Sequence, residues 1–243
     1  MASHIAGICM SASIVRGKPL TVLIALLAWF GVVLQLYLSL RLTGSMGMTT
    51  VQGLAIYFGY FTVLTNILVG MATTWPLVLP FSASGRFFAQ PMAIGWVAAS
   101  IAFVGVSYFV LLRHAWNPQG LQLMADVLMH YVVPVLVLAY SLFTLRRVPL
   151  RWTAPLWWSL YPVIYFAYVL MRGVIIGSYP YHFIDVSQLG YALTLRNAVA
   201  LWAAFLVLAY VLMVLWRVRR PGYPGLDPGV IQPAINRRDK TRP

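Results

Sequence analysis

Residues 198–216 read AVALWAAFLVLAYVLMVLW, an uninterrupted run without a single charge. A helix of this length crosses the hydrocarbon core of a bilayer, which is about 30 Å thick. Hydrophobic residues make up 61% of the chain and charged residues only 9%. A soluble domain carries about 25% charged residues because its surface faces water. We therefore predict an integral membrane protein.

Five further apolar stretches of comparable length precede this one. The last span begins a few residues before its uninterrupted apolar run, at 193. The predicted spans are 20–40, 51–73, 92–112, 123–145, 154–171 and 193–216. The predicted fold is all-α, a polytopic membrane protein built as a six-transmembrane-helix bundle. The spanning domain, 20–216, follows an N-terminal leader, 1–19, and precedes a tail, 217–243.

The basic residues are distributed unevenly between the two ends of the spans. On the N-terminal side lie Arg16, Lys18, Arg86, Arg146, Arg147, Arg151, Arg217, Arg219, Arg220, Arg237, Arg238, Lys240 and Arg242. On the opposite side lie Arg41, Arg113, Arg172 and Arg196. The positive-inside rule predicts that the N-terminal side, with both termini, is cytoplasmic.

The tail 217–243 is rich in proline, glycine and basic residues and cannot bury enough apolar surface to fold. We predict a disordered cytoplasmic segment. It is either a solvated tail that helps to fix the topology or a polybasic segment that binds anionic lipid headgroups. The net charge of +13 therefore indicates membrane lipids as partners, and not nucleic acid.

Several chemistries find no support in the sequence. Cys9 is the only cysteine, so the chain cannot form an internal disulfide. The sequence contains no H-E-x-x-H zinc motif, no P-loop, no G-x-G-x-x-G fingerprint and no G-x-S-x-G elbow. We predict no metal and no organic cofactor, and the missing P-loop argues against ATP-driven transport.

Polar residues inside the spans are costly in lipid and usually face a cavity or the bundle interior. In the second span, Thr62, Thr65 and Asn66 share one helix face. In the fourth span, Asp126, His130 and Pro134 are spaced by four residues. Pro134 cannot donate to the carbonyl of His130 and should kink the helix there.

Each of these groups has a structural interpretation beside a functional one. The two threonines would bond back to carbonyls one turn earlier, and Asn66 would bridge two helices. His130 would be a neutral histidine that ties two helices together. Alternatively, His130 belongs to a cavity wall, with Asp126 above it.

Two more groups belong to the same half of the bundle. Four residues at helical spacing share a face of the fifth span: Tyr161, Tyr165, Tyr168 and Arg172. They predict an interhelical hydrogen-bond seam that ends in a snorkelling arginine, or part of a ligand site. The next loop and the start of the last span contribute Tyr179, His182, Asp185 and Arg196. His182 and Asp185 would form a surface pair or contact a ligand, while Arg172 or Arg196 would hold a substrate carboxylate.

The depth of these groups predicts one polar pocket. It opens either toward the membrane side opposite the N-terminus or sideways into the leaflet on that side. A threonine hydroxyl and an imidazole suffice for ester cleavage, because histidine can take the proton as the hydroxyl attacks the carbonyl. Thr62 and His130 lie at similar predicted depth. Backbone donors or tyrosines would steady the oxyanion.

Three motifs occur in order along the spans: Tyr60-Phe61-Thr62-Val63-Leu64-Thr65-Asn66, then His130 followed by Pro134, then Tyr179-Pro180-Tyr181-His182-Phe183. Over residues 20–216 the chain resembles a bacterial member of the androgen-induced protein family. The resemblance implies a six-helix hydrolase in a bacterial plasma membrane. Animal members are threonine hydrolases that cleave esters of fatty acids with hydroxy fatty acids.

By this resemblance, Thr62 is the nucleophile and His130 the base, with Thr65 as a nearby rival nucleophile. The substrate would be a lipid ester, with Asp126 tuning His130. Two other classes stay open: a transporter or channel for a small solute or ion, and a non-catalytic lipid-binding bundle. A transporter needs a polar path through the whole bundle. Transport is disfavoured because the halves of the spans nearest the N-terminal side hold few polar residues beyond Ser141 and Thr144.

Overall fold

The structure, a computed structural model, describes residues 2–146 and 148–218, with side chains from Lys18 onward. Every regular element in this part of the chain is helical. The side chains of the leader up to residue 17 lie outside the described residues. The tail prediction also lies outside them from residue 219 on.

Ten α-helices follow one another through the described residues. They are α1 (Ala2–Ser45), α2 (Thr50–Tyr57), α3 (Phe61–Val78), α4 (Ala83–Phe88), α5 (Pro91–Ser107), α6 (Leu121–Val127), α7 (Val133–Thr144), α8 (Ala154–Trp158), α9 (Leu160–Ile176) and α10 (Val186–Val218). A π-helical turn, Tyr108–Leu112, continues α5, and a second, Leu128–Val132, joins α6 to α7. A short 3₁₀ turn, His182–Ile184, precedes α10.

Six of these helical segments are long and apolar enough to cross a membrane. In the described part of the chain they are Lys18–Ser45, Phe61–Val78, Pro91–Leu112, Leu121–Thr144, Ala154–Ile176 and Val186–Val218. The prediction of an all-α bundle with six spans is confirmed.

The second span differs from its prediction, because 51–73 is not one helix. The backbone leaves the helix at Phe58, Gly59 and Tyr60, so that α2 and α3 are separate. A broken helix is tolerated within a bilayer only where other protein groups bond to its freed polar atoms. Side chains of α9 supply those bonds, as described below.

The ends of the last two spans also differ from their predictions. The fifth was expected to end at 171, before Arg172, but α9 continues to Ile176 because this arginine is buried and hydrogen-bonded. The sixth was expected to begin at 193, but α10 begins at Val186, with a break at Gly190, where φ is 72°.

The expected distortion at Pro134 is present as a π-helical turn. The N–H of Val133 bonds to the carbonyl of Leu128, five residues earlier, and α7 begins there with Pro134 in its first turn. π-Helical turns are rare and frequently mark functional positions. This one contains His130.

Helix α5 occupies the centre of the bundle and packs against α3, α7 and α10. Half of its spanning segment is buried, against 22% for α9 and for α10. Small residues dominate its buried surface: Ala93, Gly95, Ala98, Ala99, Ser100 and Ala102. Small side chains let neighbouring helices approach closely, which is what drives helix association in lipid.

Indole rings lie against glycines at two helix contacts. A Cβ atom at Gly95 would lie 2.6 Å from the ring of Trp158, whose Nε1 donates to the carbonyl of Met92 at 3.0 Å. A Cβ atom at Gly70 would lie 2.8 Å from the ring of Trp29. These contacts fix α5 on α8 and α1 on α3.

Candidate functional site

The break between α2 and α3 exposes backbone carbonyls, and two tyrosines of α9 bond to them. The hydroxyl of Tyr165 donates to the carbonyl of Gly59 at 2.8 Å. The hydroxyl of Tyr168 donates to the carbonyl of Phe58 at 3.3 Å. The tyrosines of α9 therefore form the hydrogen-bond seam expected from their spacing, and they hold the break in place.

Arg172 extends this seam by one more turn. Its Nε donates to the carbonyl of Ala55 at 2.8 Å, and its Nη1 donates to the carbonyl of Ser178 at 2.9 Å. The side chain is only 6% exposed. The expectation of a snorkelling arginine is wrong, because two carbonyls left without helical partners bind the guanidinium inside the protein.

Thr65, the rival nucleophile, is fully buried. Its hydroxyl donates to the carbonyl of Phe61 at 2.7 Å and lies 3.1 Å from the hydroxyl of Tyr161. Thr65 therefore has the structural role expected of a threonine in a membrane helix.

Asn66 bridges two helices, which is also its structural interpretation. Its Nδ2 donates to the carbonyls of Thr62 at 2.9 Å and of Met129 at 3.3 Å. Its Oδ1 is buried and has no hydrogen-bond partner in the described residues. Asn66 thus joins the helix turn of Thr62 to the turn that carries His130.

Thr62 behaves differently from Thr65. It is the second residue of α3, so the carbonyl one turn earlier belongs to the break, and its hydroxyl makes no bond back to the helix. The first helical bond of α3 runs from the N–H of Leu64 to the carbonyl of Tyr60. The N–H groups of the first turn therefore have no helical acceptor.

The hydroxyl of Tyr181 lies at this helix end. It is near the Thr62 hydroxyl and the backbone N–H groups of Phe61 and Thr62, and in the described residues these N–H groups make no hydrogen bond. Burial raises the pKa of Tyr181 to about 12, although these neighbouring donors lower it in part. The phenol stays protonated at neutral pH and can donate a hydrogen bond.

Thr62 and Tyr181 line a cavity of about 290 Å³ between α3, α5, α9, α10 and the loop before α10. Its other polar wall residues are Ser107, Tyr108 and Tyr165, and the remaining wall is apolar. The expectation of a polar pocket is therefore corrected. The cavity is an apolar one with a few polar side chains in its wall, which is the usual form of a small-molecule site.

The cavity opens sideways between α9 and α10. Val163 of α9 and the α10 residues Leu195, Val199 and Trp202 line it and are also exposed on the outer surface. Leu195 is 59% and Val199 55% exposed. Because these positions lie within membrane-spanning helices, the opening faces the acyl chains of the bilayer.

Asp126 at the end of α6 and His130 in the π-helical turn that follows it form a pair one helical turn apart. Nδ1 of His130 lies 3.0 Å from the carbonyl oxygen of Asp126 and 3.2 Å from its Oδ1. A carbonyl oxygen can only accept, so Nδ1 carries a proton, and in the neutral imidazole Nε2 is then the nitrogen with the lone pair. In the described part of the chain Nε2 has no hydrogen-bond partner.

Tyr108 joins this pair to the cavity. Its hydroxyl donates to Oδ2 of Asp126 at 2.7 Å. Its ring stacks on the imidazole of His130, with centroids 3.8 Å apart and planes at 17°. His130 itself does not line the cavity, whereas Tyr108 does.

The structure thus brings the predicted residues together in two groups. Thr62 lies with Tyr181, and His130 lies with Asp126 and Tyr108. Among the described residues, no hydrogen bond joins Thr62 to His130. The cavity wall, on which Thr62 and Tyr108 both lie, connects the two groups.

Asp185 caps α10. Its carboxylate accepts hydrogen bonds from the backbone N–H and the hydroxyl of Ser187 and from Nε2 of Gln188. His182 is exposed and does not pair with the carboxylate of Asp185. Neither residue lines the cavity.

The remaining supporting residues also lie off the cavity. Tyr179 packs its ring against Gly173, where a Cβ atom would lie 2.0 Å from the ring. Arg196 is exposed, and its only hydrogen bond in the described residues is to Oδ1 of Asn197 at 3.4 Å. Among the residues predicted to support the site, Tyr165 is thus the one that lines the cavity and also donates a hydrogen bond to the break between α2 and α3.

Sequence reasoning missed Tyr108 and Tyr181 as site residues. Tyr181 lies in the 179–183 motif, but the sequence singled out only Tyr179 and His182 of that motif as site residues. Tyr108 has no motif around it, and only its depth near the end of the third span matches that of His130.

No group of three or more His, Cys, Asp or Glu residues that could hold a metal ion occurs in residues 2–146 and 148–218. Comparison with protein-family models, with curated proteins and with solved structures finds no match to the chain.

Proposed function

We propose that the protein is an intramembrane hydrolase that cleaves lipid esters with Thr62 as the nucleophile. One observation carries the proposal. Of the two threonines in the turn, only Thr62 has a hydroxyl free of the helix carbonyls, and it faces an apolar cavity that opens to the bilayer. A nucleophile in such a place meets its substrate from the lipid phase.

The chemistry uses the start of α3 and Tyr181, which lie beside Thr62, and His130, which lies behind Tyr108. Its oxygen attacks the ester carbonyl while its proton passes to Nε2 of His130, directly or through one water. The oxyanion receives hydrogen bonds from the unbonded N–H groups at the start of α3 and from Tyr181. Collapse expels the alcohol, which takes the proton from the imidazolium. Water then cleaves the acyl-threonine by the reverse sequence.

The two groups must approach each other in the substrate complex, because His130 and Thr62 are not hydrogen-bonded in the free protein. Catalytic hydrogen bonds are often long before substrate binds. The absence of a hydrogen-bond partner for Nε2 among the described residues is the feature that supports His130 as the base. We propose that Asp126 fixes this tautomer through its carbonyl and carboxylate oxygens.

The resemblance to the androgen-induced protein family suggests esters of fatty acids with hydroxy fatty acids as substrates. The apolar walls support a substrate with an alkyl chain. Arg172 has two of its donors bonded to backbone carbonyls, which leaves it a poor candidate for binding a substrate carboxylate. Exposed Arg196 is the better candidate for that contact.

The proposal predicts which hydroxyl is required. Thr62→Val keeps the shape but removes the nucleophile, and hydrolysis should fall by about 10³-fold or more. Thr62→Ser should keep measurable activity because it retains the oxygen. Release of free fatty acid from such an ester by the purified, detergent-solubilised protein is the measurement.

Thr65→Val is the matched control, since it removes a neighbouring hydroxyl that is bonded within the protein. It should lower stability but keep activity in the folded fraction. Full activity in folded Thr62→Val would overturn the assignment. Solute flux in proteoliposomes that persists in Thr62→Val would favour a transporter, and lipid binding without turnover would favour a binding protein.

A further inference from the structure

Tyr108 connects the cavity to the pair formed by Asp126 and His130. Its ring lines the cavity and stacks on His130 at 3.8 Å, while its hydroxyl donates to Oδ2 of Asp126 at 2.7 Å. We propose that Tyr108 is a positioning residue, which holds the imidazole of His130 in place by stacking and through Asp126. The catalytic part of this inference rests on the hydrolase function proposed above.

The hydroxyl of Tyr108 fixes the Asp126 carboxylate. One oxygen, Oδ2, is bound to Tyr108, and the other, Oδ1, is buried without a hydrogen-bond partner although it lies 3.2 Å from Nδ1 of His130. Without Tyr108, the carboxylate is free to turn and compete with the Asp126 carbonyl for the Nδ1 proton. A third group that orients the base is a recurrent part of such sites.

The stacking contact depends on two irregular helix turns. Tyr108 begins the π-helical turn Tyr108–Leu112, and His130 lies in the middle of the turn Leu128–Val132. The helices approach closely beside this contact, since a Cβ atom at Gly105 would lie 3.2 Å from the carbonyl oxygen of His130. Each π-turn inserts one residue into its helix and so changes which side chains face the neighbour.

Nuclear magnetic resonance of the full chain labelled with ¹⁵N- and ¹³C-histidine tests the placement without any enzymatic assay. His130 is assigned by comparison with His130→Gln. In the wild type, its nitrogen shifts should show the Nδ1–H tautomer, and its ring protons should be shifted upfield by the tyrosine ring.

Tyr108→Phe should keep the upfield shift and change the Nδ1 resonance, and Tyr108→Leu should lose the upfield shift as well. Tyr140→Phe, which removes a phenol hydroxyl elsewhere in the fourth span, should change neither. Unchanged His130 signals in folded Tyr108→Leu would overturn the proposal. If that variant does not fold, an unchanged Nδ1 resonance in Tyr108→Phe overturns it.

The ester hydrolysis assay separates positioning from substrate binding. We expect kcat to fall about 10-fold in Tyr108→Phe and about 100-fold in Tyr108→Leu, with KM within twofold, since a general base contributes 10²–10⁴-fold. Wild-type kcat in Tyr108→Leu would contradict the catalytic part. The wild type could show the predicted histidine shifts and yet cleave no ester. That result would support the positioning role of Tyr108 and contradict the hydrolase function.

Discussion

Thr62 and Thr65 are three residues apart on one helix, yet their hydroxyls have different surroundings. Thr65 has a full helical turn before it and bonds to the carbonyl of Phe61. Thr62 lies directly after the break, where the carbonyl it would use is bound by Tyr168. Whether a threonine hydroxyl in a membrane helix bonds to a backbone carbonyl therefore depends on how far the threonine lies from the start of the helix.

Arg172 binds a carbonyl in the last turn of α2, directly before the break, and a carbonyl of the loop after α9. Replacing it with glutamine in Arg172→Gln leaves the carbonyls of Ala55 and Ser178 without their charged partner. We expect a loss of about 1–3 kcal/mol in the free energy of unfolding. The thermal midpoint of the purified protein in detergent measures this loss. Arg196→Gln, at an exposed arginine of the next span, is the control and should leave the midpoint unchanged.

At the scale of elements, the break between α2 and α3 creates the site. It ends one helix and begins another in the middle of the chain's second apolar stretch, so that a helix start with unbonded N–H groups lies beside the cavity. Helix starts of this kind attract developing negative charge. The hydrogen bonds from Tyr165, Tyr168 and Arg172 of α9 stabilise the carbonyls at and before this break in apolar surroundings.

Gly59 permits the break because Arg172 passes directly over it. A Cβ atom at this position would lie 2.8 Å from Cζ of Arg172 and 3.0 Å from the carbonyl oxygen of Ile56. Gly59→Ala should therefore displace the guanidinium, lower the thermal midpoint and reduce ester hydrolysis.

Gly44→Ala is the matched control for this change. Its Cβ atom would meet nothing within 4 Å, and alanine favours a helix over glycine by about 0.5–1 kcal/mol. An equal thermal midpoint for Gly59→Ala and the wild type would show that the close approach of Arg172 is not required.

The sequence predicted the elements better than the site, for a physical reason. Crossing a bilayer requires only a local run of apolar residues, so all six spans could be found from composition along the chain. The break at Gly59 depends on bonds from residues more than a hundred positions away. The contacts of Tyr108 and Tyr181 likewise require knowing which helices are neighbours, which spacing along one helix does not reveal.

At the scale of the whole molecule, the cavity lies in one half of the bundle. It is bounded by the start of α3, the end of α5, residues 162–166 of α9 and residues 195–202 of α10, so it reaches from the middle of the bundle toward the side opposite the N-terminus. The positive-inside rule predicts that the cavity opens into the leaflet away from the cytoplasm. For the proposed lipid hydrolase, the orientation determines which leaflet supplies the substrate.

Single cysteines on exposed loops test this orientation. In a Cys9→Ser background, Ala115→Cys lies in the loop after the third span and Phe81→Cys in the loop after the second, and both positions are exposed. We expect a membrane-impermeant maleimide to label Ala115→Cys in cells with permeabilised outer layers but an intact plasma membrane. Phe81→Cys should react only after that membrane is lysed. The opposite pattern would place the cavity in the cytoplasmic leaflet and give the basic residues a role other than topology.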